Sequence, residues 1–347
     1  MTLQVLEQRW PRAWGGVVGS GLIRQQAGDF FVEEIPLATP RGDGEHLWLW
    51  VEKTSANTAW VAGQLARSAG ISGRAVSFAG RKDRHARTRQ YFSLHMPGTA
   101  DPAWQQWQIE GVTILSGSRH LKKLRRGALE GNRFRLIVRD ITATPEQLDP
   151  LLETIRAGGV PNYFGPQRFG RNGANIARAE LLLTAGKRFS RDLKNILVSA
   201  ARSLIFNEVL AARVIDGTWN QLIAGDTVQL AGSQSRFVVD EPDRELLQRC
   251  ADFDITPTGP LPGDANETDP ERAVTENTVL HQHAAWVEAL RNMRVAADRR
   301  PLRLVANHLR WSYGENSLQL DFELSAGTYA TALLREILDC EDSSAGS

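Results

Sequence analysis

Two segments, far apart in the sequence, alternate between apolar and polar residues with the period of a β-strand. In the first, the apolar members are Phe134, Leu136 and Val138. In the second, they are Leu318, Leu320, Phe322 and Leu324. Such alternation predicts strands with one face in a core. The opposite face of the first strand is mostly cationic (Arg133, Arg135 and Arg139), and we expect it to lie against a phosphate backbone.

The chain has 347 residues, a length that indicates two domains, with three as the alternative. Its 42% apolar and 23% charged residues are typical of a globular protein. No apolar run approaches the ~18 residues of a membrane span. Residues 1–14 are polar and interrupted by Pro11, unlike a signal peptide. The two cysteines, Cys250 and Cys340, are far apart, which argues against a disulfide framework and favours the cytoplasm.

A net charge of +1 hides an uneven distribution along the chain. Residues 119–139 contain eight Lys or Arg and a single acid, Glu130. Residues 240–276 contain eleven Asp or Glu and three Arg. The basic stretch indicates a nucleic-acid-binding face. For the acidic stretch, a solvated surface is the preferred interpretation.

The character of the sequence changes after Gly159. Residues 161–173 are rich in Gly, Pro and Asn and contain three aromatics, which predicts an ordered irregular loop. An apolar stripe of helical period covers residues 192–214. Residues 256–269 carry Gly, Pro and acids and are predicted to form a surface loop. Residues 279–293 are predicted to form one helix.

One carboxylate, Asp83, lies among five cations between two strand-like runs. The cations are Arg81, Lys82, Arg84, Arg87 and Arg89. They favour the charged form of the acid and offer a landing surface for a polyanion. Asp83 is either a reactive group in a phosphate-binding loop or a structural acid that pairs with an arginine. From these residues alone the structural role is preferred, because ion-pair networks are common.

Several chemistries lack their motifs. The chain has no Gly-x-x-x-x-Gly-Lys-Ser/Thr loop, and residues 16–21 have the wrong glycine spacing for a dinucleotide fingerprint. It also lacks the Pro-Cys-x-x-Cys of zinc base deaminases. His281 and His283 lie two apart on a predicted helix and do not face together. We therefore expect no metal and no nucleotide cofactor.

The loop around Asp83 resembles the signature of the TruD family of tRNA pseudouridine synthases. The matching residues are Ala79-Gly80-Arg81-Lys82-Asp83-Arg84-His85-Ala86, with Thr88 and Gln90. Further blocks follow in the family's order at 28–34, 131–134, 159–170, 199–207 and 326–336. The resemblance covers nearly the whole chain.

The resemblance implies an enzyme that isomerises a uridine of tRNA, typically uridine 13 in the D arm, to pseudouridine. It implies an α+β fold, with a mixed, mostly antiparallel sheet and helices as the catalytic core. A smaller α/β domain would be inserted at residues 158–303, so that the core comprises residues 1–157 and 304–347. The reaction needs no cofactor and no external energy.

The resemblance also implies roles for individual residues. Asp83 matches the catalytic aspartate, and Phe134 matches the ring on which the detached base stacks. Phe30 lines the same site or is an ordinary core residue. Arg24 would pair with the catalytic acid, although the family commonly has lysine there. Asn132 would orient the carboxylate or a sugar hydroxyl, and Lys82 would contact phosphate or pair with Asp83.

The expected partner is tRNA, whose target nucleotide must be drawn out of its stack. The phosphate contacts are expected from Arg81 and Arg84 of the loop and from Arg119, Lys122, Lys123, Arg125 and Arg126. One rival is a non-catalytic RNA-binding protein, which would not require Asp83. The other is a hydrolase with two carboxylates, the second being Glu33 or Glu34.

Overall fold

The computed structural model describes residues 10–264 and 274–346. Most of the segment compared with a signal peptide and the end of the predicted loop at 256–269 lie outside these residues. The strands are β1 Ser20–Ile23, β2 Phe30–Pro36, β3 His46–Thr54, β4 Val76–Phe78, β5 Arg87–His95, β6 Val112–His120, β7 Leu129–Arg139, β8 Val160–Pro161, β9 Asp226–Leu230, β10 Arg236–Val239, β11 Ile255–Leu261, β12 Asp298–Pro301, β13 Arg303–Leu304, β14 Asn307–Gly314, β15 Ser317–Ser325 and β16 Asp339–Asp342. The helices are α1 Thr58–Ser68, α2 Pro145–Gly158, α3 Ala174–Leu183, α4 Arg191–Ile215, α5 Arg244–Ala251, α6 Val274–Gln282, α7 Ala284–Asn292 and α8 Ala330–Ile337.

The predicted α+β class is confirmed. The largest sheet has ten strands in the order β14-β15-β7-β2-β5-β3-β6, with β4 on β5 and with β1 joining β7 to β16. Its pairs are antiparallel except β1 with β16 and β2 with β5. The two period-two segments are the neighbours β7 and β15, paired Phe134 to Phe322 and Leu136 to Leu320. Each strand buries one face, which is what their alternation predicts.

The chain divides into two compact units. The sheet unit comprises Val18–Leu148, Ala306–Thr328 and the chain from Leu338 onward. The helical unit comprises the chain up to Val17, Asp149–Val305 and Tyr329–Ile337. An inserted domain with boundaries at 158 and 303 stays a prediction.

In the sheet unit, α1 covers the part of the sheet formed by β3, β4 and β5. Asn57 caps this helix, and its side chain accepts a hydrogen bond from the Ala59 amide at 2.8 Å. Val61 and Leu65 of the helix are fully buried, as are Leu49 and Phe92 of the strands. This packing fixes the sheet beneath the loop that joins β4 to β5.

The core of the helical unit is built around α4, which the sequence predicts at residues 192–214. By length and composition this helix could cross a membrane, but 61% of its most apolar window is buried inside the fold. Leu197, Ile205 and Leu210 are among its buried residues. The helix therefore has the environment of a core helix.

Two predictions for the helical unit are wrong. Residues 255–261, predicted largely as surface loop, form β11 between β9 and β12 and are mostly buried. Its prolines lack N–H groups but keep their carbonyls, and Pro257 accepts a hydrogen bond from Leu302 at 2.9 Å. The helix predicted at 279–293 is two helices, because the helical conformation is interrupted at His283, between α6 and α7.

Candidate active site

The loop between β4 and β5 carries Asp83 and is anchored to the sheet unit through its backbone. Gln90 donates to the Gly80 carbonyl at 2.9 Å, and the Thr58 hydroxyl accepts from the Lys82 amide at 3.0 Å. The Lys53 ammonium donates to the Asp83 carbonyl at 2.7 Å. Gln90, Thr58 and Lys53 are all buried. The position of Asp83 is therefore fixed by three side chains from beneath the loop.

The Asp83 carboxylate has one partner for each oxygen. Oδ2 accepts from Arg24 Nη2 at 2.6 Å, and Oδ1 accepts from the His85 amide at 3.0 Å. The other terminal nitrogen of Arg24 donates to Asp342 at 2.5 Å. The side chain of Asp83 is 32% exposed, whereas that of Arg24 is 6% exposed. The carboxylate is thus held rigidly and remains open to solvent on one side.

Arg24 provides the counter-charge that the sequence predicts. It follows β1 with a φ of 58°, and its guanidinium lies 4.0 Å from the centroid of the Phe30 ring. A guanidinium has two forks of donors and can bridge two carboxylates while stacking on a ring, which an ammonium cannot do in the same way. Arginine at this position therefore joins Asp83, Asp342 and Phe30 in one arrangement.

Lys53 is a site residue that sequence reasoning missed. It lies on β3, is fully buried, and faces the loop from below. Burial lowers the pKa of its ammonium to about 8, against the opposing charge of Asp83 and with a smaller contribution from Lys82. The available signal was a lysine two residues after the apolar and aromatic run from Leu47 to Val51, separated from it by Glu52.

Lys82 is placed differently from either expectation. Its side chain is 6% exposed, lies 3.4 Å from Glu34 Oε2, and donates to Asn132 Oδ1. The predicted phosphate contact or Asp83 pairing is therefore corrected to a buried pair with Glu34. Burial raises the pKa of Glu34 and lowers that of Lys82, and each charge opposes the shift of the other. The reason for the difference is that the Glu34 carboxylate, on β2, is buried on this face of the sheet, where an unpaired negative charge would be costly.

The aromatic residues form a stack beside this pair. Phe134 lies two residues from Asn132 on the same face of β7 and stacks on Phe322 at 5.2 Å and 13°. Phe30 meets the Phe134 ring edge-on at 6.4 Å. All three are at least 93% buried. Phe30 is thus both a core residue and the contact between Arg24 and Phe134, and Phe322 is a ring that the site analysis of the sequence missed.

Six of the predicted RNA-binding residues form an exposed cationic surface next to the Asp83 loop. They are Arg81, Arg84, Lys122, Lys123, Arg125 and Arg126, and none forms a salt bridge with another residue in the described part of the chain. Leu124 packs on Ala79 and Trp48, and the Gly127 amide donates to the Ala79 carbonyl at 2.8 Å. These contacts hold the two basic loops together.

Arg119 differs from those six. Its side chain is 13% exposed and pairs with Asp101 at 2.5 Å. It also donates to the carbonyls of Met96 and Thr99 at 2.9 and 2.8 Å. Its guanidinium is already occupied within the fold, and its contact with RNA stays a prediction.

The cationic face predicted for β7 is corrected by the structure. Arg133 bridges Glu33 at 3.1 Å and Glu323 at 2.9 Å. Arg135 pairs with Asp321 at 2.8 Å, and Arg139 pairs with Asp29 at 2.7 Å. The acids of β2 and β15 lie in register with Arg133 and Arg135, and the partner of Arg139, Asp29, directly precedes β2. This face is therefore close to neutral and does not offer a free row of cations.

The two carboxylates considered for a hydrolase are on opposite faces of β2. Glu34 is 2% exposed and paired with Lys82, whereas Glu33 accepts from Arg89 and Arg133 on the other face. Of Asp83, Glu33 and Glu34, Asp83 is therefore the one that is partly exposed on this face of the sheet. Asp342, which shares Arg24 with it, is equally exposed at 32%. A partly exposed carboxylate near stacked aromatic rings suits nucleophilic or general-base chemistry on a flat, uncharged substrate.

Comparisons with known proteins give one consistent result. The family model described as tRNA pseudouridine synthase D (TruD) matches residues 16–182 and 176–337. A curated tRNA pseudouridine synthase D of Hydrogenovibrio crunogenus is 41% identical over 330 residues, covering 94% of this chain and 95% of that protein. One of Ectopseudomonas mendocina is 44% identical over 332 residues, covering 95% and 94%.

A solved structure agrees on the fold. The crystal structure of a putative tRNA pseudouridine synthase D from Methanosarcina mazei matches with a TM-score of 0.77, covering 96% of this chain and 98% of that one. Its identity of 22% carries the fold alone. Together with the family model and the curated relatives, the match shows that this chain belongs to the tRNA pseudouridine synthase D (TruD) family.

Proposed function

We propose that the protein converts a uridine of tRNA, specifically uridine 13 of the D arm, to pseudouridine, with Asp83 as the catalytic carboxylate. The observation that carries this proposal is the geometry of Asp83. It is partly exposed, fixed by Arg24 and by its own loop, and surrounded by exposed cations suited to phosphate. The names of the curated relatives support the activity.

The chemistry requires breaking an N-glycosidic bond, turning the detached base and closing a bond through carbon. An ionised carboxylate can attack the sugar, attack the base or abstract a sugar proton. Arg24 holds the Asp83 carboxylate in position through their salt bridge. Phe134, backed by Phe322, offers a flat surface against which uracil rotates without fixed hydrogen bonds, and Asn132 offers a polar group beside it.

Binding of tRNA is assigned to the six exposed cations around the loop, with the cytoplasm as the place of reaction. Because these contacts are electrostatic, affinity is expected to fall steeply as salt rises. Phe30 and Lys82 act through their neighbours, as a support for Arg24 and as a partner of Glu34 and Asn132.

The test compares wild type, Asp83→Asn and Glu33→Gln on transcribed tRNA carrying 5-tritiated uridine. D83N should bind tRNA with wild-type affinity and lose at least about 10²- to 10⁴-fold of tritium release, because the amide can neither attack nor accept a proton. E33Q, altered on the opposite face of the sheet, should stay near wild type. A tRNA with cytidine at position 13 should yield no product.

Retained turnover in D83N would overturn the role of Asp83. A wild-type protein that binds tRNA and releases no tritium would favour the non-catalytic RNA-binding protein. Product formed on the cytidine-13 tRNA would overturn the site assignment and leave the activity standing.

A further inference from the structure

A second cationic cluster lies in the helical unit, where the irregular loop that the sequence predicts at residues 161–173 meets Arg300 of β12. The loop is ordered as expected, with Tyr163, Phe164 and Phe169 buried. Asn207 of α4 holds the Phe164 backbone from both sides, accepting from its amide and donating to its carbonyl, each at 2.9 Å. The Phe164 ring is therefore held in a fixed position.

Two guanidiniums lie against this one ring. That of Arg300 is 4.1 Å from the ring centroid, and that of Arg168 is 5.1 Å away. Arg300 is tied to Asn162, whose side-chain oxygen accepts from it at 2.6 Å. Burial lowers the pKa of Arg300 to about 10; Tyr329 opposes this shift, and the nearby charge of Arg168 adds to it, because the two cations repel each other.

The partners of Arg168 are neutral hydroxyls. It donates to Ser199 Oγ at 3.0 Å and to Tyr329 Oη at 2.7 Å. Across residues 10–264 and 274–346 it forms no salt bridge with a carboxylate. Tyr329 is 37% exposed, so the side of the cluster on which the hydroxyl lies is open to solvent.

Another arginine of the same unit shows the contrasting arrangement. Arg249 also lies against an aromatic ring, 6.0 Å from the Phe237 centroid, but pairs with Asp254 at 2.7 Å. Two like charges brought together on a rigid ring, with a hydroxyl beside them, have the form of a site for an anion with several oxygens. An anion between them would remove their repulsion.

We propose that Arg168 and Arg300, held by Phe164, bind a backbone phosphodiester of the RNA substrate through the helical unit. This proposal rests on the proposed function for the identity of the polyanion. It adds an anchoring point on residues outside the sheet unit, which carries Asp83. RNA is favoured over free phosphate because the cluster is open to solvent beside Tyr329, where a phosphate that is part of a chain can approach.

The experiment measures equilibrium binding of full-length protein to tRNA as a function of salt concentration. Each phosphate contact contributes about 0.9 to the magnitude of the slope of log affinity against log salt on a duplex, and about 0.7 on a single strand. Arg168→Gln should lower the magnitude of the slope by about one, with weaker binding at low salt, whereas Arg168→Lys should retain most of it. Arg249→Gln is the matched control and should keep the wild-type slope.

Two results would overturn the proposal. One is a wild-type slope for R168Q in a protein with unchanged thermal unfolding. The other is a slope for R168Q whose magnitude equals or exceeds that of R168K. This comparison tests the proposal even if both variants lose some stability. Inorganic phosphate is the second probe. If wild type and R168Q have the same tRNA slope, but phosphate raises the unfolding temperature of wild type more than that of R168Q, the site binds a free anion and not RNA.

These measurements do not depend on turnover. If the wild type forms no pseudouridine, the proposed function fails while the slopes still decide the phosphodiester site. If the wild type forms pseudouridine and its slope equals that of R168Q, the phosphodiester site is refuted and the proposed function stands.

Discussion

The two faces of the ten-stranded sheet arrange charged residues in opposite ways. On one face, Glu34 and Lys82 are buried as a pair, and Lys53 is fully buried beneath the Asp83 loop. On the other face, a row of acids and arginines alternates from strand to strand, including Glu52, Arg89, Glu33, Arg133 and Glu323. The side chains of this row are more exposed than the buried pair. Its central members, Arg89, Glu33 and Arg133, each form salt bridges with two neighbours.

The difference shows what burial does to the same residue types. Exposed cross-strand pairs are screened by water and contribute little each. On the buried face, removing one partner leaves a charge that neither water nor another side chain neutralises. The buried charged residues next to the Asp83 loop therefore lie on one face of the sheet, and the exposed cross-strand ion pairs lie on the other.

The largest effect on stability should come from breaking the buried pair. Lys82→Met leaves Glu34 buried without its cation and should lower the free energy of unfolding by about 3–5 kcal/mol. Denaturant unfolding measures it. The double variant Glu34→Gln with Lys82→Met should recover most of the loss, since no buried charge remains. Equal losses in the single and double variants would contradict the comparison.

A substitution of Lys53 tests how a buried charge on this face affects turnover and stability. Lys53→Met should lower turnover by about 10- to 100-fold, because the Asp83 loop loses its anchor. Wild-type turnover should fall as pH rises through about 8, where the ammonium loses its proton, and this alkaline limb should be absent in K53M. Tritium release across a pH series measures both.

The stability of the protein should respond to the same titration with the opposite sign. The folded pKa of Lys53 lies below its unfolded value, so between about 8 and that value the unfolded chain binds more protons. The contribution of Lys53 to unfolding free energy should therefore rise with pH, by up to ~1.4 kcal/mol per pH unit. K53M should lack this rise. A K53M protein whose pH profiles match those of wild type would contradict the role of Lys53.

The smallest effect should come from the opposite face. Arg133→Gln removes two exposed ion pairs and should change the free energy of unfolding by no more than about 1 kcal/mol, less at high salt. Turnover should stay at the wild-type level. A loss as large as that of K82M would show that the two faces do not differ in the way described.

Much of the sheet and of the loop could be predicted from local pattern. The alternation in β7 and β15 predicts strands because side chains of a strand point to opposite faces in turn. The family blocks indicated Asp83, Arg24 and Phe134, and the structure brings these three residues together through Phe30. Helix α4 followed from its apolar stripe.

The errors share a cause. Lys82 and the arginines of β7 are basic in the sequence, and basic residues were assigned to phosphate. Their partners, Glu34, Glu33, Glu323 and Asp321, lie on neighbouring strands that are distant in the sequence. Likewise β11 has the composition of a loop and is a strand only because β9 and β12 flank it.

The sequence alone determined the period of the strands, the α+β class, the family and the carboxylate at the centre of the basic loop. All of these depend on the order of residues within short segments. Only the tertiary structure decided which charges are free and which are paired. Strand register places an acid beside one arginine and none beside another, and burial then determines whether that charge supports the fold, prepares Asp83, or remains available to an incoming phosphate.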